Sequence, residues 1–251
     1  MAGHSKWANI KHKKARTDER KGKEFTKIAK EITIAARSGG GDPESNSKLK
    51  LAIQKAKGVN MPNDNISRAI KKGTGELDGE ILEELVYEGY APGGVAIMLN
   101  IATDNRNRTA SEIRHLFAKN NGNLGENGCV AWMFNRVGLI TVSKEGLDCD
   151  EDEFLYQVLE YGADDVRDEG EQFEIISSPE LLMEIKDSLE TGGYKVEEAD
   201  IVMLPENNVE INDIDTASKV IKLIELLEDH DDVQNVYSNM SIPDELINQL
   251  S

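Results

Sequence analysis

The stretch from Ala2 to Glu31, "AGHSKWANIKHKKARTDERKGKEFTKIAKE", holds ten Lys or Arg residues, two His and one Trp against four acidic groups. Cations at this density suit the binding of polyanions, because each phosphate neutralised releases condensed counterion. His4, Lys6, Lys11, His12, Lys13, Lys14 and Arg16 lie in a run without a helical stripe, which reads as an extended tail. Arg20, Lys23, Lys27, Lys30 and Arg37 recur at helical spacing, roughly opposite Phe25, Ile28, Ala29, Ile32 and Ala36. Trp7, inside the tail, either stacks on an unpaired base or packs back on its own domain.

A second basic group, Arg68, Lys71 and Lys72, lies in "PNDNISRAIKKG". The short turn from Gly58 to Met61 before it fits a helix-turn-helix, with this segment as recognition helix, and equally a helical hairpin in a bundle. A third group, Arg106, Arg108 and Arg114, surrounds the start of a helix in an otherwise acidic region. It either forms a secondary site holding a phosphate or carboxylate, or tethers its loop to acidic neighbours.

Motifs for catalysis are missing. His4, His12, His115 and His230 form no HExxH, and no Ser stands in GxSxG. "SGGGDP" lacks the following Lys-Ser/Thr of a phosphate-binding loop, and "GTGELDGE" sets carboxylates where nucleotide phosphates would lie. "EDHDD", Glu228 to Asp232, lacks EF-hand spacing and reads as acidic solvation of a helix end. Cys129 and Cys149 form neither a CxxC nor a disulfide framework, so two reduced thiols are expected. No catalytic residue, metal or cofactor is expected.

These groups must be positioned by a chain of two very different halves. Residues 1–75 carry 18 Lys and Arg against 7 Asp and Glu, a net of +11. Residues 76–251 carry 11 against 40, a net of −29, within an overall formal charge of −18. One end is built to meet a polyanion while the body stays soluble and repels it. No apolar run approaches the roughly 18 residues that span a bilayer, and a secretory leader and a myristoylation Gly are missing. A soluble cytoplasmic protein without a membrane partner is expected.

The periodicity predicts an α+β protein of three domains. Residues 1–75 form a basic helical bundle for nucleic acid, with helices from Asp18 to about Arg37, from Asp42-Pro43 to Gly58, and from Pro62 to Lys72, with Gly73 as stop. Strands at Leu85–Tyr90 and Val95–Ala102 follow, joined by Pro92-Gly93-Gly94, then a helix with Thr109 and Glu112 as a capping box. Its inward residues are Ile113, Leu116 and Phe117. Residues 136–204 read βαββαβ, the ferredoxin-like order, as an acidic insertion. Residues 76–135 then share a sheet with 205–251, making a central α/β domain of discontinuous sequence.

"AGHSKWANIKHKKARTDERKGKEFTK", "NMPNDNISRAIKKGTGE", "YEGYAPGGVAI" and "TDNRNRTASEIRHLFAKNNGNLGENGCVAWMF" together resemble the YebC/PmpR family, as does the C-terminal "DVQNVYSNM". Ala91 and Cys129 depart slightly from its pattern. The resemblance spans nearly the whole chain and implies three domains without a catalytic residue. It implies a DNA-binding transcriptional regulator, or alternatively a ribosome-associated translation factor whose tail contacts ribosomal RNA, as mitochondrial relatives activate translation of a cytochrome oxidase subunit. A small-molecule enzyme or sensor on the acidic domains is the remaining alternative.

Overall fold

The structure, a computed structural model, describes residues 18–79, 81–145 and 150–250. It is a mixed α+β chain whose described residues divide into two compact units, residues 133–207 and residues 18–132 with 208–250.

Three helices open the larger unit: α1 (Asp18–Gly39), α2 (Ser47–Gly58) and α3 (Asn63–Thr74). Ile28, Ile32, Ala35 and Ala36 of α1 pack with Leu49, Ala52 and Ala56 of α2 and Ile66 and Ala69 of α3. Both later helices rest on α1. The second helix begins at Ser47 rather than Asp42-Pro43, because Asn46 outcompetes the proline as a start signal. Its buried side chain accepts from Leu49 N–H at 3.1 Å and donates to the carbonyls of Ala35 and Gly40, each at 2.8 Å. Gly73 is not the stop of α3, which runs to Thr74 and is capped by Gly75 in the left-handed region. Gly73 instead lies buried inside the helix, where a Cβ would stand 2.4 Å from the Thr33 carbonyl oxygen. Glycine is needed there for two backbones to approach.

Strands β1 (Glu83–Tyr90) and β2 (Ala96–Thr103) form an antiparallel hairpin. Its turn places Gly93 at φ 77 and Gly94 at φ 76, a conformation that favours glycine. Helix α4 (Arg106–Lys119) leads to the short β3 (Asn123–Leu124) on the outer side of β1. β9 (Val233–Ser238), from the C-terminal part of the chain, pairs antiparallel with β2, giving the order β3-β1-β2-β9. β2 is therefore central and buried on both faces, which is why "AIMLNIAT" is almost continuously apolar. The C-terminal part also supplies β8 (Val209–Glu210) and β10 (Met240–Ser241), which pair in parallel, and helices α7 (Ile214–Glu228) and α8 (Asp244–Leu250).

The predicted capping box of α4 does not form. Asn105 caps the helix, accepting from Arg108 N–H at 3.1 Å, and Thr109 lies fully buried one turn in. Ile113 and Phe117 are buried as expected, whereas Leu116 is half-buried.

The smaller unit runs β4 (Phe134–Ser143), α5 (Glu151–Glu160), β5 (Asp165–Asp168), β6 (Gln172–Ser177), α6 (Leu182–Thr191), β7 (Val196–Pro205). Its sheet, β5-β6-β4-β7, is antiparallel throughout, which is the ferredoxin-like arrangement. Phe154 stacks on Phe173 at 4.7 Å between ring centroids, and the Lys144 ammonium sits 4.3 Å from the Phe173 centroid. No helix among the described residues is long and apolar enough to cross a membrane.

Candidate nucleic-acid interface

The basic face of α1 is not a free surface. Lys23 Nζ meets Asp229 Oδ2 at 2.7 Å, and Lys27 Nζ donates to the Glu228 carbonyl. Lys30 Nζ donates to Asp232 Oδ1 at 2.7 Å, to the Asp231 carbonyl at 3.0 Å and to the Ala102 carbonyl at 3.1 Å. Arg37 Nη1 reaches the Leu82 carbonyl at 3.0 Å. Lys23, Lys27, Lys30 and Arg37 thus all have acceptors within the same chain, and the reason is local. α7 ends at Glu228, and the last carbonyls of a helix lack intrahelical N–H donors and carry the negative end of its dipole. Lysines of α1 satisfy carbonyls at and just beyond that end, so the apolar side of α1 meets α2 and α3 while Lys23, Lys27 and Lys30 meet the turn 228–232, and Arg37 stays exposed.

Asp232 is the centre of this contact and is only 4% exposed. Besides Lys30, it accepts from the Thr109 hydroxyl at 2.7 Å, Arg108 Nη2 at 2.9 Å and the Thr103 hydroxyl at 3.1 Å. Burial alone would push its carboxyl up. The hydrogen bonds from Lys30, Thr109 and Arg108 overcome that and hold it well below the usual carboxylate range. One buried side chain thereby joins α1, β2, α4 and the turn before β9. "EDHDD" is thus neither a cation loop nor simple solvation but the acceptor for a basic helix.

Beside it, His230 Nδ1 accepts from Asp232 N–H at 3.1 Å while Nε2 lies 3.0 Å from Glu112 Oε2. With Nδ1 accepting, the ring proton sits on Nε2 and donates to that carboxylate.

Arg108 is likewise withdrawn from the anion site expected of Arg106, Arg108 and Arg114. Its Nη2 bonds Asp104 Oδ1 at 2.8 Å as well as Asp232, and these two carboxylates raise its pKa. Arg106 and Arg114 are exposed on α4 and both act on Tyr87: burial raises that phenol's pKa, and the two guanidiniums oppose the rise. Arg68, Lys71 and Lys72 all stand exposed along α3. The tail residues His4, Lys6, Trp7, Lys11, His12, Lys13, Lys14 and Arg16 lie outside the described residues, as do the side chain of Arg20 and Cys149.

A second buried carboxylate escaped the sequence reading. Glu88 of β1, 4% exposed, accepts from the backbone N–H of Gly128 at 2.6 Å and of Val130 and Ala131, each at 2.7 Å. It staples the loop that carries Cys129 and the exposed Trp132, whose indole N–H donates to the Cys129 carbonyl at 3.2 Å. Burial is the main cause that raises the Cys129 thiol pKa, so at neutral pH it is a thiol, not a reactive thiolate. Among the described residues no group of three or more His, Cys, Asp or Glu is placed to hold a metal ion. Nothing in the sequence around Asp232 or Glu88 signals these roles, since their partners are backbone groups and side chains up to 202 residues away.

Comparison with known proteins adds a second line of findings. Residues 5–76 match the family described as "TACO1/YebC protein N-terminal domain", and residues 82–240 match "TACO1/YebC second and third domain". A "Probable transcriptional regulatory protein" of Syntrophomonas wolfei is 73% identical over 248 residues, covering 98% of this chain and 99% of that protein. One of the same name from Halothermothrix orenii is 59% identical, covering 100% and 99%. The crystal structure of a conserved hypothetical protein from Aquifex aeolicus is 52% identical with a TM-score of 0.85, covering 95% of this chain and 97% of that one.

Proposed function

This chain belongs to the TACO1/YebC family, and from that membership we propose that it is a non-catalytic, nucleic-acid-binding regulator of gene expression, acting as a DNA-binding transcriptional regulator in the cytoplasm. The observation that carries the reading is the segregation of charge, +11 over residues 1–75 against −29 over the rest. The name shared by its relatives, "Probable transcriptional regulatory protein", points the same way. At physiological salt the Debye length is about 8 Å, so acidic groups a domain's width away do not cancel the basic end, and only near neighbours such as Asp229 and Asp232 pair with its lysines. The helical region 1–75 serves as the binding domain, the discontinuous α/β part as its support, and the ferredoxin-like insertion as an acidic third domain.

A second reading, a translation factor associated with the ribosome, is favoured by one feature. α2 and α3 share one core with α1, an arrangement that fits a hairpin in a helical bundle as well as a helix-turn-helix. In the hairpin reading no recognition helix is offered, so contacts fall on phosphates and stay blind to sequence. Footprinting on the protein's own genomic promoters, run beside sedimentation of ribosomes at moderate salt, separates the two. Discrete promoter protection without co-sedimentation is expected for the first reading. Co-sedimentation together with weak, sequence-blind DNA binding would overturn it in favour of the second.

A further inference from the structure

We infer that, within the described helices, the surface that grips the sugar-phosphate backbone is the outward stripe of α3, formed by Arg68, Lys71 and Lys72, and that the basic face of α1 is an internal clamp. The inference rests on the nucleic-acid reading above and names its surface.

Cations can bind phosphate only if they can be reached. For a polyanion to use Lys30 it would have to displace Asp232, which is buried and also held by Thr109 and Arg108. Removing one partner from such a pair strands the other charge away from water, so the exchange is unfavourable. Lys23 and Lys27 are held in the same contact by Asp229 and the Glu228 carbonyl. Among the described residues, no acidic side chain is bonded to the α3 cations in this way. They are exposed at positions i, i+3 and i+4, on the side away from buried Ile66, Ala69 and Gly73, and span about 6 Å of helix. Gly73 seats α3 close against the Thr33 carbonyl of α1, with the stripe on the opposite side of the helix. Asp64, one turn earlier on the same side, directs an anion toward the C-terminal half of the helix. Lys71 and Lys72 also offset the helix dipole there, so stability is followed alongside binding.

The test uses the full chain, a labelled duplex DNA of random sequence and a labelled RNA hairpin, each titrated across a range of salt. The stripe variant R68Q/K71Q/K72Q should lower the slope of log K against log salt by about 2 to 3 on either probe. Its melting temperature should stay within a few degrees of the wild type. R68K/K71R/K72R, which keeps the charges, should restore the slope. K23Q/K27Q should keep the wild-type slope and lower the melting temperature. A stripe variant that binds like the wild type, or a clamp variant that loses the slope instead, overturns the inference while leaving the nucleic-acid reading standing. A wild-type chain with no salt-dependent binding to either probe overturns both.

Discussion

A single carboxylate, Asp232, decides more of this structure than any other side chain described. It satisfies Lys30 and Arg108 at once and is almost wholly removed from water. Replacing it by Asn should destabilise the protein by about 3 kcal/mol, because half-buried Lys30 and the buried Thr103 and Thr109 hydroxyls then lose the charged acceptor they share. Asp229→Asn, which removes only the exposed partner of Lys23, should cost less than about 1 kcal/mol. Chemical denaturation of both variants checks the contrast. The pH dependence follows from the lowered pKa of Asp232. Its stabilisation is fully present above the unfolded carboxylate value of about 3.9 and is lost as pH falls from there toward the lower folded value. D232N should therefore flatten the acid limb of the stability curve, and an unchanged limb would contradict the assigned hub.

At the scale of elements, two contacts join pieces that secondary structure alone leaves separate. Gly73 lets α3 lie directly on α1, and its replacement by Ala places a methyl 2.4 Å from a carbonyl and 2.7 Å from Ala36 Cβ. The helices must part, at a cost of about 1–3 kcal/mol visible in thermal melting. Glu88 performs the corresponding service for the loop from Gly125 to Trp132, through three backbone N–H groups. E88Q should turn an acceptor into a donor facing those groups and cost about 1–3 kcal/mol. Hydrogen exchange should then speed up at Gly128, Val130 and Ala131 in particular. Most helices and the order of elements along the chain were legible in the sequence, since apolar period and turn residues are local signals; the order of strands within each sheet was not. The start of α2, the cap of α4 and the role of Gly73 were not, because Pro43, the Thr109/Glu112 pair and a glycine after two lysines read as local signals, whereas Asn46 bonds back to Ala35 and Gly40, Thr109 is buried against Asp232, and Gly73 packs on Thr33.

Over the whole molecule, the smaller unit enters and leaves through neighbouring strands, with Phe134 paired to Pro205. Residues 133–207 hold 21 Asp and Glu against 5 Lys and Arg. Joining Trp132 to Asn208 through a short flexible linker should leave the larger unit folded, with a cooperative melt. It should also raise the on-rate for nucleic acid at low salt, because a repelling anionic body has been removed. Loss of the cooperative melt would show that the larger unit depends on the insertion.

The sequence by itself determined the segregation of charge, the helical and ferredoxin-like patterns and the family, because composition, period and long motif blocks are carried along the chain. It also located the lysines of α1. What they do was decided only by tertiary structure. Folding brings the end of α7, some 200 residues further along, against that stripe, and its carbonyls and carboxylates outcompete water for the same ammonium groups. A face that is basic in sequence is neutralised in space, and Arg68, Lys71 and Lys72 are left facing solvent.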